Sequence, residues 1–336
     1  MTSAIINYLK IKAKYVHSYT HKLWWPGSCF ISFPMEGQFS PVISKAIDRI
    51  MQPHGGVGKV KELIRTDRKG DGQKRFVVFD LVGSPVIIIA ISLPEYPELL
   101  RVAAECAVQA HAQLGESVPA PLEMGVSDGV YFTITRYCRP RNRWEIYRQS
   151  GQVLTWLSEA TRRTVVDPLP EEIEHDFVQP LSALLKYDQL QQAERDSIQE
   201  ALSELNSERW RPRLVLMHND LHRGNILKAP EQGASSWPFV IIDWGGLRLA
   251  GHAVNDLIQL ARDLKLSPVQ LAPQLKIHCE LLNCNPLQLR YYLLSAFGFF
   301  LLNLEFCPFD KLDETLRINL EYLDLSVVKT MEMNTN

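Results

Sequence analysis

No apolar run in the 336-residue chain reaches the roughly 20 residues that a membrane-spanning helix needs. The most apolar stretch, YYLLSAFGFFLL at residues 291–302, is cut by Asn303 and Glu305 and reads as a buried core helix. An excess of one charge is also lacking. Lys plus Arg number 36 and Asp plus Glu 38, a net charge of -2, so a nucleic-acid partner is not expected without a local basic patch. The first residues carry no continuous apolar core of a secretion signal, and six cysteines are scattered along the chain, which predicts a reducing, cytoplasmic setting. Cys279 and Cys284, beside His278, have no second ligand pair at zinc-finger spacing and read as ordinary thiols. There is no internal repeat and no low-complexity tract. What remains, 46% hydrophobic and 22% charged residues, is the balance of a folded protein with two compact units or two lobes.

The pattern of elements divides the chain into an N-terminal extension and helix at 1–52, a sheet-rich part at 53–138, a mostly helical part at 139–330 and a tail at 331–336. Residues 1–38 combine Lys10, Lys12 and Lys14 with Trp24, Trp25, Phe30 and Phe33 without periodicity. They are expected to pack their aromatics on the main body, with a surface or membrane contact as the sharper alternative. A helix follows, with Ser40 as cap, Pro41 in its first turn, Phe39 as staple and Val42, Ile43, Ala46, Ile47 and Ile50 on one face, before Pro53 stops it. From 55 to 91 the period shortens to that of a strand, with a hairpin signal at Asp71-Gly72. A helix over 98–114 and two strands flanking residues 127–129 complete this part. Helices are then expected near 143–162, 178–206, 252–266, 268–282, 286–304 and 310–329, interrupted only by β-like runs between 214 and 242.

The informative stretches are MHNDLHRGNIL at 217–227 and VIIDWGG at 240–246. The first holds Asp220 and Asn225 in a polar loop between apolar anchors, and the second holds Asp243 after an apolar run and before two glycines. Phosphoryl transfer needs such a set: a carboxylate to orient and deprotonate a hydroxyl, and oxygen ligands that hold magnesium on nucleotide phosphates. His218 and His222 could alternatively be zinc ligands one helical turn apart, but HNDLH lacks the glutamate that a metalloprotease uses as base, and Gly224 interrupts a helix. Asp220 and Asn225 alone could be turn formers.

These two motifs resemble the catalytic loop and metal-binding turn of the aminoglycoside phosphotransferase and choline kinase group. The resemblance extends by element order over residues 55–264. It implies an α+β, two-lobed protein-kinase-like fold, with a small antiparallel-sheet N-lobe and a larger helical C-lobe. It also implies transfer of the γ-phosphate of ATP, or GTP, with Mg2+, to a hydroxyl of a small molecule. Asp220 becomes the catalytic base, Asn225 and Asp243 the metal ligands, His218 and His222 structural histidines of the loop, and Asp256 the helix-borne acid that ties the loop down.

The sheet part departs from the family pattern. Glu105 matches the helix glutamate that pairs with a strand lysine, but the lysine position falls on Ala90, or in another register on Phe79. Lys59 or Lys61, after the glycine turn of Gly55, Gly56 and Gly58, is the expected substitute; that turn lacks the spacing of a Walker loop. Arg136, Tyr137 and Cys138 fall where the family's hinge meets adenine through its backbone. Directly beyond, residues 136–148 hold Arg136, Arg139, Arg141, Arg143 and Arg148, a basic cluster that could meet an anionic substrate or a protein partner, or be a solvated loop. The absent lysine keeps two alternatives open: a nucleotide-binding pseudokinase that regulates a protein, or a kinase-like enzyme acting on protein.

Overall fold

The computed structural model of the protein describes residues 28–33, 39–65, 73–230, 236–303 and 312–323. Among them the strands are, in chain order, β1 (Ser28–Phe33), β2 (Lys59–Arg65), β3 (Gln73–Phe79), β4 (Pro85–Ser92), β5 (Glu123–Ser127), β6 (Val130–Arg136), β7 (Leu214–Met217), β8 (Ile226–Lys228), β9 (Phe239–Ile241) and β10 (Arg248–His252). The chain forms two compact units, the described parts of Met1–Arg141 with Gly224–Gly246, and of Asn142–Arg223 with Leu247–Asn336. An antiparallel sheet unit and a mainly helical unit make the α+β architecture that the resemblance implies.

In the first unit the sheet order is β1-β2-β3-β4-β6-β5. All its neighbours are antiparallel. Alternation sorts its side chains. Phe76, Val78, Ile87, Ile89, Phe132 and Ile134 share one face and form a core with Ile43, Ile47 and Met51 of helix α1 (Pro41–Met51). That helix starts as expected, since the Ile43 N–H donates to Ser40 Oγ at 3.3 Å. Phe39 meets Phe76 edge-on, with ring centroids 5.1 Å apart, so it docks on the sheet. Helix α2 (Pro97–Leu114) covers part of the opposite face, where Leu100 and Ala104 pack around Tyr131 and Ala90. β1 was not expected: it pairs with β2 from Ser28↔Arg65 to Phe33↔Val60. The hairpin signal at Asp71-Gly72 lies outside the described residues.

Gly224–Gly246, expected within the helical part, groups with the sheet unit. Its β8–β9 hairpin packs Leu227 and Val240 on Cys138, and the Lys228 N–H donates to Arg139 O at 2.9 Å.

The second unit contains α3 (Ser150–Thr164), α4 (Gln179–Leu185), α5 (Gln192–Asn206), α6 (Asn255–Asp263), α7 (Pro268–Leu282), α8 (Pro286–Leu302) and α9 (Leu312–Glu321). Two expected helices are each split. The helix near 143–162 is interrupted at Gln149, with Arg143–Arg148 before it. The one over 178–206 ends at Leu185, where the Arg195 guanidinium donates to the carbonyls of Leu185 at 2.8 Å and, just beyond, of Tyr187 at 2.9 Å. The apolar stretch is the core helix α8, with Tyr291, Tyr292, Leu293, Leu294 and Ala296 fully buried. It lies so close to α4 that a Cβ at Gly298 would sit 2.1 Å from the Pro180 carbonyl oxygen. Among the described residues no helix is long and apolar enough to cross a membrane.

Candidate active site

In the second unit β7, buried at all four residues, pairs with β10 and runs directly into buried His218. The loop it enters is held by one face of α6. The His218 N–H donates to Asp256 Oδ2 at 2.6 Å and the Asn219 N–H to Asp256 Oδ1 at 2.9 Å. Two turns further along α6, Asp263 Oδ2 accepts the Arg223 N–H at 2.6 Å, and its other oxygen lies 3.6 Å from Arg223 Nε. Residues i and i+7 share a helix face, so these two carboxylates grip the start and the end of the loop. Burial pushes the Asp256 pKa up to about 7, against the pull of its two N–H donors. Asn219 takes φ 67°, a left-handed conformation that asparagine tolerates.

Asp220 projects from the middle of this loop with its side chain 30% exposed, accessible enough to meet a substrate. Its N–H donates to His218 Nδ1 at 3.3 Å, which requires an unprotonated Nδ1 and leaves the His218 proton on Nε2. His222 Nε2 lies 3.8 Å from Asp220 Oδ1, too long for a hydrogen bond. His218 and His222 therefore bracket the acid that the sequence singles out.

The sheet unit contains the other motif residues. Along the β8–β9 ladder Ile226 pairs with Ile241, and the next step joins the Ile242 N–H to Asn225 O at 3.0 Å. Asn225 is buried, and Asp243 follows at φ 65°. Aspartate, like asparagine, tolerates that left-handed region, because its short polar side chain can bond to nearby backbone. Trp244 is buried with Nε1 donating to Ile241 O at 2.9 Å, and the turn Trp244–Gly246 packs against α2. Among the described residues no three His, Cys, Asp or Glu side chains gather as a metal site. Asn225 and Asp243 instead offer two hard oxygen donors, a set that suits magnesium, which keeps several waters and binds through one or two carboxylates plus phosphates.

The expected nucleotide residues are spread over the sheet unit. The Tyr137 N–H donates to Val86 O at 2.8 Å where β6 ends at Arg136, so one backbone donor of the expected hinge is already used inside the sheet. Cys138 is buried, its thiol pushed up to about 11 by that burial. Glu105 is bound by Arg101 of its own helix, Nη1 to Oε1 at 2.7 Å. Gly55 and Gly56 precede β2 in left-handed conformations, and a Cβ at Gly58 would lie 2.0 Å from the Asp80 carbonyl oxygen, so close backbone packing requires that glycine. Lys59 and Lys61 both lie over the Phe79 ring, at 5.0 and 5.7 Å from its centroid. Arg141 of the basic cluster likewise lies over Phe239, at 5.8 Å.

The structure adds two candidate residues that sequence reasoning did not name. Asp263 was visible as the second acid seven positions after Asp256 in NDLIQLARD. Arg75 became identifiable only from register: it pairs directly with Ala90 across β3 and β4, on the same sheet face, with Thr133 on Ala90's other side.

A model of the phosphotransferase enzyme family matches residues 70–280, and the chain belongs to that family. It is a phosphotransferase. No curated protein sequence matches it. Similar solved structures include a choline/ethanolamine kinase family protein from Mesorhizobium loti, at 16% identity over 86% of this chain and 99% of that one, with a TM-score of 0.44. Choline kinase LicA from Streptococcus pneumoniae is 13% identical over 83% of this chain and 98% of its own, with a TM-score of 0.43. The streptomycin-ATP-APH(2")-IIa ternary complex gives 14%, 85%, 96% and 0.42.

Proposed function

We propose that the protein transfers the γ-phosphoryl group of ATP, or of GTP, to a hydroxyl of a small molecule in a magnesium-dependent reaction. The observation that carries this is the double grip of Asp256 and Asp263 on the loop that presents Asp220, a rigid mount for a partly exposed carboxylate. Asp220 accepts the proton of the acceptor hydroxyl as its oxygen attacks the γ-phosphorus; the bond from that phosphorus to the bridging oxygen breaks, and ADP leaves. Asn225 Oδ1 and the Asp243 carboxylate would hold the magnesium ion, whose chemistry is to neutralise charge on the phosphate oxygens. The backbone of 136–138 would meet the base.

The cation that the sequence lacks at Ala90 is supplied, in this reading, by Arg75. A guanidinium reaching across from the paired strand offers several donors to phosphate oxygens, where Ala90 offers none. The pairing of Glu105 with Arg101 favours a second reading, a nucleotide-binding regulator without turnover.

The test is the thermal unfolding midpoint with and without Mg-ATP for wild type and Asp243→Ala, followed by assay of ATP consumption against a panel of hydroxyl acceptors. At a hundredfold excess over Kd a ligand of the folded state adds about 2.7 kcal/mol. A metal-dependent rise that Asp243→Ala abolishes is expected. No rise at millimolar nucleotide overturns the proposal, and a rise without turnover on any acceptor leaves the regulator.

A further inference from the structure

α7 ends at Leu282 and Asn283 turns left-handed, with φ 49° and ψ 51°. The Cys284 N–H then donates to Cys279 O at 3.0 Å and the Asn283 N–H to Glu280 O at 3.3 Å. Those two bonds, closing six and four residues around a left-handed residue, define the Schellman helix end, which frequently carries a side-chain contact between its first and sixth residues. Such a contact commonly joins two apolar groups; here both positions are cysteines, Cys279 and Cys284. The far side of the corner is equally fixed, because Asn285 and Gln288 exchange two side-chain to backbone bonds of 3.0 Å at the start of α8.

Access separates this pair from the other described thiols. Cys106 and Cys138 are buried, whereas Cys279 and Cys284 are only partly covered and line a surface depression with Arg209 and Glu280. Two cysteines that a helix end brings to neighbouring positions, both partly open to small solutes, have little further to move before they can form a disulfide, whose Cβ atoms must come to roughly 3.5–4.5 Å.

We propose that Cys279 and Cys284 are a site of reversible oxidation, which a small disulfide such as oxidised glutathione converts to an intramolecular disulfide across the α7 helix end. One cysteine thiolate attacks a sulfur of oxidised glutathione and expels one glutathione thiolate. The second cysteine thiolate then attacks the protein sulfur of the mixed disulfide and expels the other. Both protein thiols lose their protons, and the two electrons leave as two molecules of reduced glutathione. The bond staples the corner between α7 and α8 within the second unit. It is independent of the phosphotransferase reading.

The experiment exposes the full chain under native conditions to oxidised glutathione and follows the peptide 277–290, IHCELLNCNPLQLR, which tryptic cleavage releases with both cysteines. That peptide is expected to lose two hydrogen masses without keeping a glutathione adduct, and to regain them with dithiothreitol. In Cys284→Ser the adduct should persist on Cys279, because no second thiol can displace it. A peptide that stays reduced, or that accumulates two adducts, overturns the proposal. Asn283→Val tests the cap itself: a β-branched residue resists the left-handed conformation and should slow ring closure roughly 5- to 30-fold. Closure at the wild-type rate in that variant would show that the helix end does not preorganise the pair.

Discussion

The two units position their candidate functional side chains by different physical means. In the sheet unit, placement follows from backbone register: the β8–β9 ladder sets Asn225 one step beyond Ile226, and the β3–β4 ladder sets Arg75 beside Ala90. In the helical unit, the loop carrying Asp220 has no ladder of its own and depends on two carboxylates from α6, Asp256 and Asp263. A ladder spreads its restraint over many neutral bonds. A carboxylate clamp concentrates restraint in a few charge-assisted ones, so a single substitution can release it. The sheet unit should therefore tolerate surface change while keeping ligand affinity, and the helical unit should lose turnover and stability at isolated positions.

The largest effect is expected at Asp220. Asp220→Asn preserves shape and removes the proposed base, and kcat with an accepted hydroxyl substrate should fall by roughly 10²–10⁴. The Mg-ATP shift in unfolding temperature should stay at the wild-type value, because the proposed nucleotide contacts belong to the other unit. A variant that loses nucleotide affinity along with turnover would break the division of labour. Next comes Arg75→Met, which keeps the stem and removes the guanidinium. Loss of one preorganised donor to the phosphates should lower kcat/KM for ATP roughly 10²–10³-fold, whereas Lys59→Met, over the Phe79 ring, should change it little. The reverse ranking would return the role to Lys59.

How far the sequence alone could see depends on how local each feature is. Asp220, Asn225 and Asp243 lie in two short runs whose residue types already state a chemistry, so they could be named before any fold was known. Helix α1 was legible from its Ser40 cap and Pro41, and α2 from apolar residues recurring at helical spacing on one side. Arg75 was not, because its neighbour depends on a register that shifts between Val78 and Phe79. A slip of one residue there would turn the side chain to the opposite face. β1 was missed for a related reason, since its pairing with β2 joins segments far apart in sequence. The break between α4 and α5 was not legible either, since the Arg195 bonds to the carbonyls of Leu185 and Tyr187 leave no mark in the periodicity.

A smaller effect should separate the clamp from the ladder. Asp256→Asn retains one oxygen but turns an amide NH2 toward a backbone donor, so either the His218 or the Asn219 N–H loses its acceptor. Leaving one buried N–H unpaired costs about 1–3 kcal/mol, measurable as a lower urea midpoint at unchanged slope. Turnover should fall further than occupancy of the folded state explains, because the Asp220 loop loses its anchor. If stability drops while kcat per folded molecule holds, Asp256 supports the fold only.

The gentlest test uses pH, and it concerns the helical unit alone. His252 and His278 are fully buried, and that burial pushes their pKa values down to about 3 and about 4 from the usual 6.5. Each folded-state value lies below the unfolded one, so the unfolded chain takes up protons first as pH falls. The stability these neutral rings contribute is present above about 6.5 and is lost progressively toward 3–4, with a slope of about 1.4 kcal/mol per pH unit for each histidine. His278 has partners, its Nδ1 2.9 Å from Gln274 O and its Nε2 3.5 Å from Thr161 Oγ1, whereas among the described residues neither ring nitrogen of His252 has a hydrogen-bond partner. A neutral, shape-matched replacement is therefore easier at His252. His252→Phe should flatten the acid limb of the stability profile by about one histidine's slope and leave the profile above pH 7 nearly unchanged. An unaltered acid limb would mean that His252 takes up its proton without unfolding the protein.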